Sequence, residues 1–159
     1  MPQFRTTRRV RHSAADMFAL VADVDRYPEF VPLCQSLKVL GRAEGPDGTE
    51  VLTANMTVAY KLIHETFSSQ VTLDRANLTI NVKYLNGPFS HLDNRWIFRP
   101  LGDDLCEVEF FIAYEFKSRT LGFLMGSVFE AAFRRFSEAF ERRADAVYGR
   151  GKAALREAR

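Results

Sequence analysis

The chain has 159 residues, 47% of them hydrophobic and 26% charged, with a formal net charge of +2. This is one domain's length at an ordinary globular composition, and so small a charge argues against a dedicated nucleic-acid binder while leaving room for a local basic patch. No run of about 18 apolar residues exists, so no helix is expected to span a membrane.

The chain shows no apolar secretory segment at its start. Arg5, Arg8, Arg9 and Arg11 with Thr6 and Thr7 faintly suggest a transit peptide, but Phe4, Thr6, Arg8 and Val10 alternate with their neighbours and favour a strand over 3–11. Ser13 then offers an N-cap, with Asp16 three positions on, and Met17, Phe18, Leu20 and Val21 give a short amphipathic helix. A second short helix is expected to start at Pro28, run through Phe30 and Val31, and stop at Pro32. Cys34 and Cys106 make no metal spacing and read as buried, reduced thiols of a cytosolic protein.

From Gln35 the period changes to two. Leu37 and Val39 before a break at Gly41, Thr49–Tyr60, Leu62–Leu73, residues 77–85, the stretch with Leu92, Trp96 and Phe98, and residues 104–116 all read as strands. Gly45-Pro46-Asp47-Gly48 and Asn86-Gly87-Pro88 are turns between them. In 104–116, Cys106, Val108, Phe110, Ile112, Tyr114 and Phe116 oppose Glu107, Glu109 and Glu115, the mark of an antiparallel strand with one face on a core.

Ser118–Tyr148 contains no proline and reads as one long helix. Leu121, Met125, Val128, Ala132, Phe136 and Ala139 form its apolar stripe, and Phe129, Phe133, Phe140 and Val147 widen it on one side. A meander of strands this long must twist and curl, and curling round the helix buries both apolar surfaces. The predicted fold is therefore α+β, a helix-grip: about seven antiparallel strands around a C-terminal helix, as a single domain over 1–149, with a frayed basic tail over 150–159. Within the helix, residues from Ala132 onward read as core. Leu121–Phe129, with Gly122 and Gly126, reads as the lid of a tunnel.

Ser13-Ala14-Ala15-Asp16-Met17-Phe18, Leu20-Val21, Asp23-Val24, Tyr27-Pro28, Phe30 and Pro32-Leu33-Cys34 resemble the opening of the coenzyme Q-binding START-like proteins. Gly87-Pro88-Phe89 with Leu92, Trp96 and Phe98 resembles the family's second motif, and Phe133, Phe136 and Phe140 its closing helix. The broader group is labelled polyketide cyclase/dehydrase and also includes bacterial toxins that interfere with ribosomal subunit association. The resemblance implies a hydrophobic tunnel holding a polyprenyl quinone such as ubiquinone, in a lipid chaperone for respiration or quinone biosynthesis. It implies as well contact with a membrane and with proteins of those pathways, at the cytoplasmic face of a bacterial inner membrane or the matrix side in a mitochondrion. The ribosome is the alternative partner.

The residues themselves offer little catalytic chemistry. His12, His64 and His91 are scattered, and no zinc-protease helix motif, phosphate loop or nucleophile elbow occurs. No metal and no catalytic cofactor are expected. Glu65, in register with Ile63, Phe67 and Val71, is the one acid that a pocket enzyme of the cyclase type could use, with Lys61 on the same face as a partner. A polyprenyl ligand would be held by burial, about 3–4 kcal/mol per isoprene unit before ordering costs. The candidate contacts are Phe30, Lys61, Phe67, Tyr84, Phe89, Trp96, Phe110, Leu121, Met125 and Phe129, with Trp96, Tyr84 or Lys61 donating to a headgroup. Phe123 and Leu124 are the candidate membrane contacts, in an apolar mouth shared with Phe30 and Phe89.

Overall fold

The computed structural model of the chain describes residues 2–149; the expected tail over 150–159 falls outside them. Strand β1 (Gln3–Val10) leads into helix α1 (Ala14–Ala22), then β2 (Cys34–Glu44), β3 (Glu50–Tyr60), β4 (Ile63–Asp74), β5 (Thr79–Asn86), β6 (Phe89–Gly102), β7 (Leu105–Phe116) and helix α2 (Arg119–Tyr148). The sheet order is β1-β7-β6-β5-β4-β3-β2, with every pairing antiparallel. β2 to β7 are thus a meander, and β1 closes beside β7. This is the helix-grip arrangement that alternation and turn spacing predict.

Local chemistry sets the ends of the elements. The Ser13 hydroxyl accepts the Asp16 N–H at 3.0 Å and caps α1, and the Ser118 hydroxyl does the same for Leu121 N–H at 3.1 Å in α2. The helix expected to start at Pro28 is instead a 3₁₀ turn over Val24–Glu29 with Pro28 inside it. Two anchors pull the turn forward: Val24 is buried, and the Tyr27 hydroxyl donates to the Val21 carbonyl at 2.5 Å. Gly41 does not end β2; the register slips between Val39 and Gly41, so the glycine marks a bulge in a continuous strand.

Two faces differ from the alternation. In β7, Phe111 and Ala113 point away from the core yet are buried. The guanidiniums of Arg5 and Arg95 lie over the Phe111 ring at 4.6 and 4.7 Å and cover it. In α2 the buried residues are Met125, Phe129, Ala132, Phe133, Ser137, Phe140 and Ala144. Val128, Phe136 and Ala139 are only half-buried and Val147 is exposed, so the helix is rotated towards what the sequence reading took as its widening side. Burying three phenylalanine rings gains more than burying alanines, and the large rings set the rotation.

The C-terminal half of α2 is tied to the start of the chain by polar contacts. Arg8 donates to Glu141 at 2.7 Å, Arg143 to Glu29 at 2.7 Å, and the Tyr148 hydroxyl to the Asp16 carbonyl at 3.2 Å. His12, 3% exposed, sits 2.7 Å from Asp145. Among the described residues the N-terminal half has no such ties to the sheet; its Phe129 ring leans on those of Tyr114 and Phe116.

Phe18 is fully buried, edge-on to Phe98 with ring centroids 5.8 Å apart. Phe18→Ala is expected to cost about 3–5 kcal/mol, read from denaturant midpoints. The thiols of Cys34 and Cys106 are both pushed by burial from the ordinary 9.0 to about 11. The native state therefore favours the protonated thiols. Their contribution is complete below pH 9 and is lost as the pH rises through 11. Denaturant midpoints followed from neutrality into that range should fall less steeply for the double variant C34A/C106A than for the unmodified protein.

Candidate functional site

α2 packs on β1 and β7, whereas β2, β3 and β4 curl away from it. An apolar cavity of about 110 Å³ occupies the gap. Its floor is the inward residues of three neighbouring strands: Ala54, Met56 and Val58 of β3, Val71 of β4, and Ile80 and Val82 of β5. Its roof is Phe129, Ala132, Phe133, Phe136 and Phe140 of α2. Phe89, Trp96 and Phe110 close the inner wall, and Val31, Pro32 and Leu33, between the 3₁₀ turn and β2, lie at the side.

The inner wall is a packed set of rings. Trp96 lies 4.7 Å from Phe110 and 4.9 Å from Phe140, and Phe89 lies 5.6 Å from Phe67 and 6.1 Å from Phe129, centroid to centroid. Phe89 is held in place from behind, its N–H donating to the Tyr84 hydroxyl at 3.1 Å. The β5–β6 turn reaches this position because Gly87 adopts φ +146°; a Cβ there would sit 2.5 Å from that of Phe67.

Very little of the lining is polar. The Tyr27 hydroxyl is committed to Val21, and burial drives its pKa far above the usual phenol value. The Asn94 amide donates to the Phe111 carbonyl at 2.9 Å. Ser69 brings a hydroxyl to the wall. The site is thus a neutral space with few polar groups, suited to holding an apolar molecule. Among the described residues no cluster of three His, Cys, Asp or Glu side chains could hold a metal ion.

Of the residues singled out in the sequence, Phe67, Phe89, Trp96, Phe110 and Phe129 line the cavity. Tyr84 stands behind Phe89. Phe30 lies outside the cavity, against Tyr27 and Phe140, with Arg143 over its ring at 5.1 Å. Leu121 and Met125 are likewise outside the lining: Met125 is core, and Leu121 packs beside it half-buried. Of the expected lid over Leu121–Phe129 only Phe129 lines the cavity, and the residues from Ala132 onward, expected as core, supply the rest of its roof. The later rings of α2 roof the cavity, and its first turns rest on the end of β7, because the gap opens only where β2–β4 turn away.

Lys61 cannot reach a ligand headgroup inside. It sits exposed in the two-residue β3–β4 turn at φ 55°, with its ammonium 5.3 Å from the centroid of the Tyr60 ring. Nor does it pair with Glu65, which is half-buried on β4 opposite Val58 and outside the cavity lining. His64 contacts Gln35 at 3.1 Å, and His91 is exposed. Phe123 is 87% exposed and Leu124 52%, whereas Phe89 is buried and Phe30 is packed on Phe140, so neither joins them in a mouth.

Sequence reasoning passed over Ser69 and Asn94. The signal was present: each is a polar residue at a position whose neighbours two away, Phe67 and Val71 or Leu92 and Trp96, are apolar and inward. It also left out Val31, Leu33 and Met56, which reach the cavity only through the curl of the β2–β3 flank.

Comparison with known proteins places this geometry. The ribosome association toxin RatA of Vibrio cholerae is 35% identical over 149 residues, spanning 94% of this chain and 99% of that protein. The mitochondrial coenzyme Q-binding protein COQ10 homolog B of Xenopus laevis is 28% identical over 156 residues, spanning 96% of this chain and 62% of that protein. A START superfamily protein from Mycobacterium smegmatis superposes with a TM-score of 0.74 at 21% identity, covering 91% of this chain and 98% of that one, a likeness of fold alone. The family described as polyketide cyclase/dehydrase and lipid transport matches residues 10–141, from the end of β1 to deep in α2, and the chain belongs to it.

Proposed function

We propose that the protein binds a polyprenyl lipid, a quinone of the ubiquinone type, in the cavity under α2 and delivers it without chemical change. The cavity itself carries this reading. An empty apolar void of about 110 Å³ costs roughly 2–3 kcal/mol at about 24 cal/mol per Å³. A chain with 14 phenylalanines has ample means to fill such a void, and keeping it open fits a guest better than a core. An apolar void of about 150 Å³ takes a benzene-sized group. The present volume therefore admits roughly one isoprene unit, and a longer tail must displace the half-buried Phe136, Pro32 and Leu33. The Ser69 hydroxyl is the donor for a quinone carbonyl. The coenzyme Q-binding name of one relative agrees with this ligand class.

In this reading the protein works at the cytoplasmic face of a bacterial inner membrane, or on the matrix side in a mitochondrion, and serves enzymes of respiration or quinone biosynthesis. A cyclase-type reaction has weaker support, because Glu65, the acid best placed in sequence, lies off the cavity wall.

The ribosome-binding reading has one specific observation in its favour: the RatA relative is more similar, at 35% identity, than the quinone-binding one, at 28%. Its surface would be the basic first strand. There, however, Arg5 is ion-paired with Glu109 at 3.0 Å and Arg8 with Glu141 at 2.7 Å. Cations already neutralised in this way gain less from displacing counterions on RNA.

Organic extraction of the purified protein followed by mass spectrometry should recover a polyprenyl quinone. An empty protein that co-sediments with large ribosomal subunits would overturn the carrier reading. Ala132→Trp, which grows a side chain into the roof, should weaken binding of an added quinone by about tenfold or more while the fold is kept. Ser69→Ala should cost about fivefold in affinity for the quinone and nothing for the matching hydrocarbon.

A further inference from the structure

We propose that one end of the sheet is a docking surface for an anionic lipid bilayer, built from the β3–β4 turn and the first turns of α2. The pairings Tyr60 with Ile63, Ser68 with Asn86 and Phe89 with Phe116 put the β3–β4 turn, the β5–β6 turn and the β7–α2 connection at the same end. The two most exposed large apolar side chains among the described residues are there: Leu62, 97% exposed, and Phe123, 87%. Leu85 and Leu124, each about half exposed, stand with them.

Local structure accounts for neither of the two extremes. A two-residue hairpin turn with a left-handed first position favours Asn-Gly, yet this one is Lys61-Leu62 with Lys61 at φ 55°. Phe123 extends from the outer side of α2 between Gly122 and Gly126. A Cβ on Gly126 would meet nothing within 4 Å, and one on Gly122 would touch Phe116 at an ordinary 3.7 Å, so packing does not demand either glycine.

The charges at this end select the partner. Lys61, Lys117 and Arg119 are exposed at the rim, and among the described residues none has a carboxylate within ion-pair distance. Elsewhere Arg5, Arg8, Arg42, Arg99 and Arg143 are paired, while Arg9, Lys38, Arg75, Lys83 and Arg135 are exposed with no ion pair among the described residues. The carboxylates at this end, Glu65 and Glu115, are set back on the strands behind the turns. The opposite end also shows apolar groups, Leu101, Val147 and Tyr148, but there they accompany the acidic Asp103-Asp104 turn and Asp145. Free cations around protruding leucine and phenylalanine tips suit a bilayer with negatively charged headgroups, each cation near such a surface adding attraction. The surface also borders the cavity: Phe67 and Val58, on the strands joined by the Lys61-Leu62 turn, are in its lining. That such docking serves lipid transfer rests on the carrier reading; the docking itself does not.

Flotation of the full chain with phosphatidylcholine vesicles, with and without phosphatidylglycerol, tests the proposal. Binding is expected to the anionic vesicles and to be weaker without the anionic lipid. L62D/F123D should lower partitioning by about tenfold or more. Lys61→Glu with Lys117→Glu should lower it by at least about fivefold and abolish the preference for anionic lipid. Leu101→Asp, at the other end, should change nothing. Circular dichroism and quinone extraction run on the same samples keep the two ideas apart: an empty protein that still floats sinks only the carrier reading. The docking proposal falls if the unmodified protein stays off anionic vesicles, if L62D/F123D floats like the parent, or if L101D loses as much. It falls too if the rim variants lose large ribosomal subunits but keep the vesicles.

Discussion

A single helix cannot cover seven strands. An α-helix with its side chains is about 10–12 Å across, whereas seven strands about 4.8 Å apart span roughly 29 Å. α2 can therefore seal only part of the sheet. It settles on β1 and β7, where Phe110 and Tyr114, with Trp96 of the neighbouring β6, meet Phe129, Phe133 and Phe140 ring against ring. β2–β4 lie beyond its reach, and the curvature of the sheet leaves between them and the helix a gap that side chains on only one helix cannot fill. The cavity is thus a consequence of the width of the sheet.

The way α2 is held divides it into two working halves. The later half is held by Arg8, His12, Glu29 and Asp16, which tie it to the first strand, the first helix and the 3₁₀ turn. That half carries most of the roof of the cavity. Among the described residues the first turns lack such ties and end in a capped but exposed apolar tip. The polar contacts therefore stop where the exposed apolar tip of the helix begins.

The physical character of the cavity also limits what it can do. Its walls are rings and aliphatic side chains, and its polar groups are a serine, an asparagine already donating to a main-chain carbonyl, and a tyrosine committed to another. Binding there draws on burial and dispersion, which distinguish one apolar tail from another only weakly. Ser69 and Asn94 are among the few places where the wall departs from hydrocarbon.

Much of this was legible in the sequence. Period-two alternation from Gln35 to Phe116, the turn residues between the runs, and the proline-free phenylalanine-rich end together determined the strand count, the meander and the closing helix. Alternation also put Phe67, Trp96 and Phe110 on the inner face. Those are local properties, set by backbone geometry and by which side of a strand faces water. The rotation of α2, the position of the cavity under its later rings, the withdrawal of Lys61 to a turn and the exposure of Leu62 were decided only by tertiary structure. Each depends on how far β2–β4 curl away from the helix. That distance follows from the balance of ring packing and sheet twist over the whole domain, which no local pattern encodes.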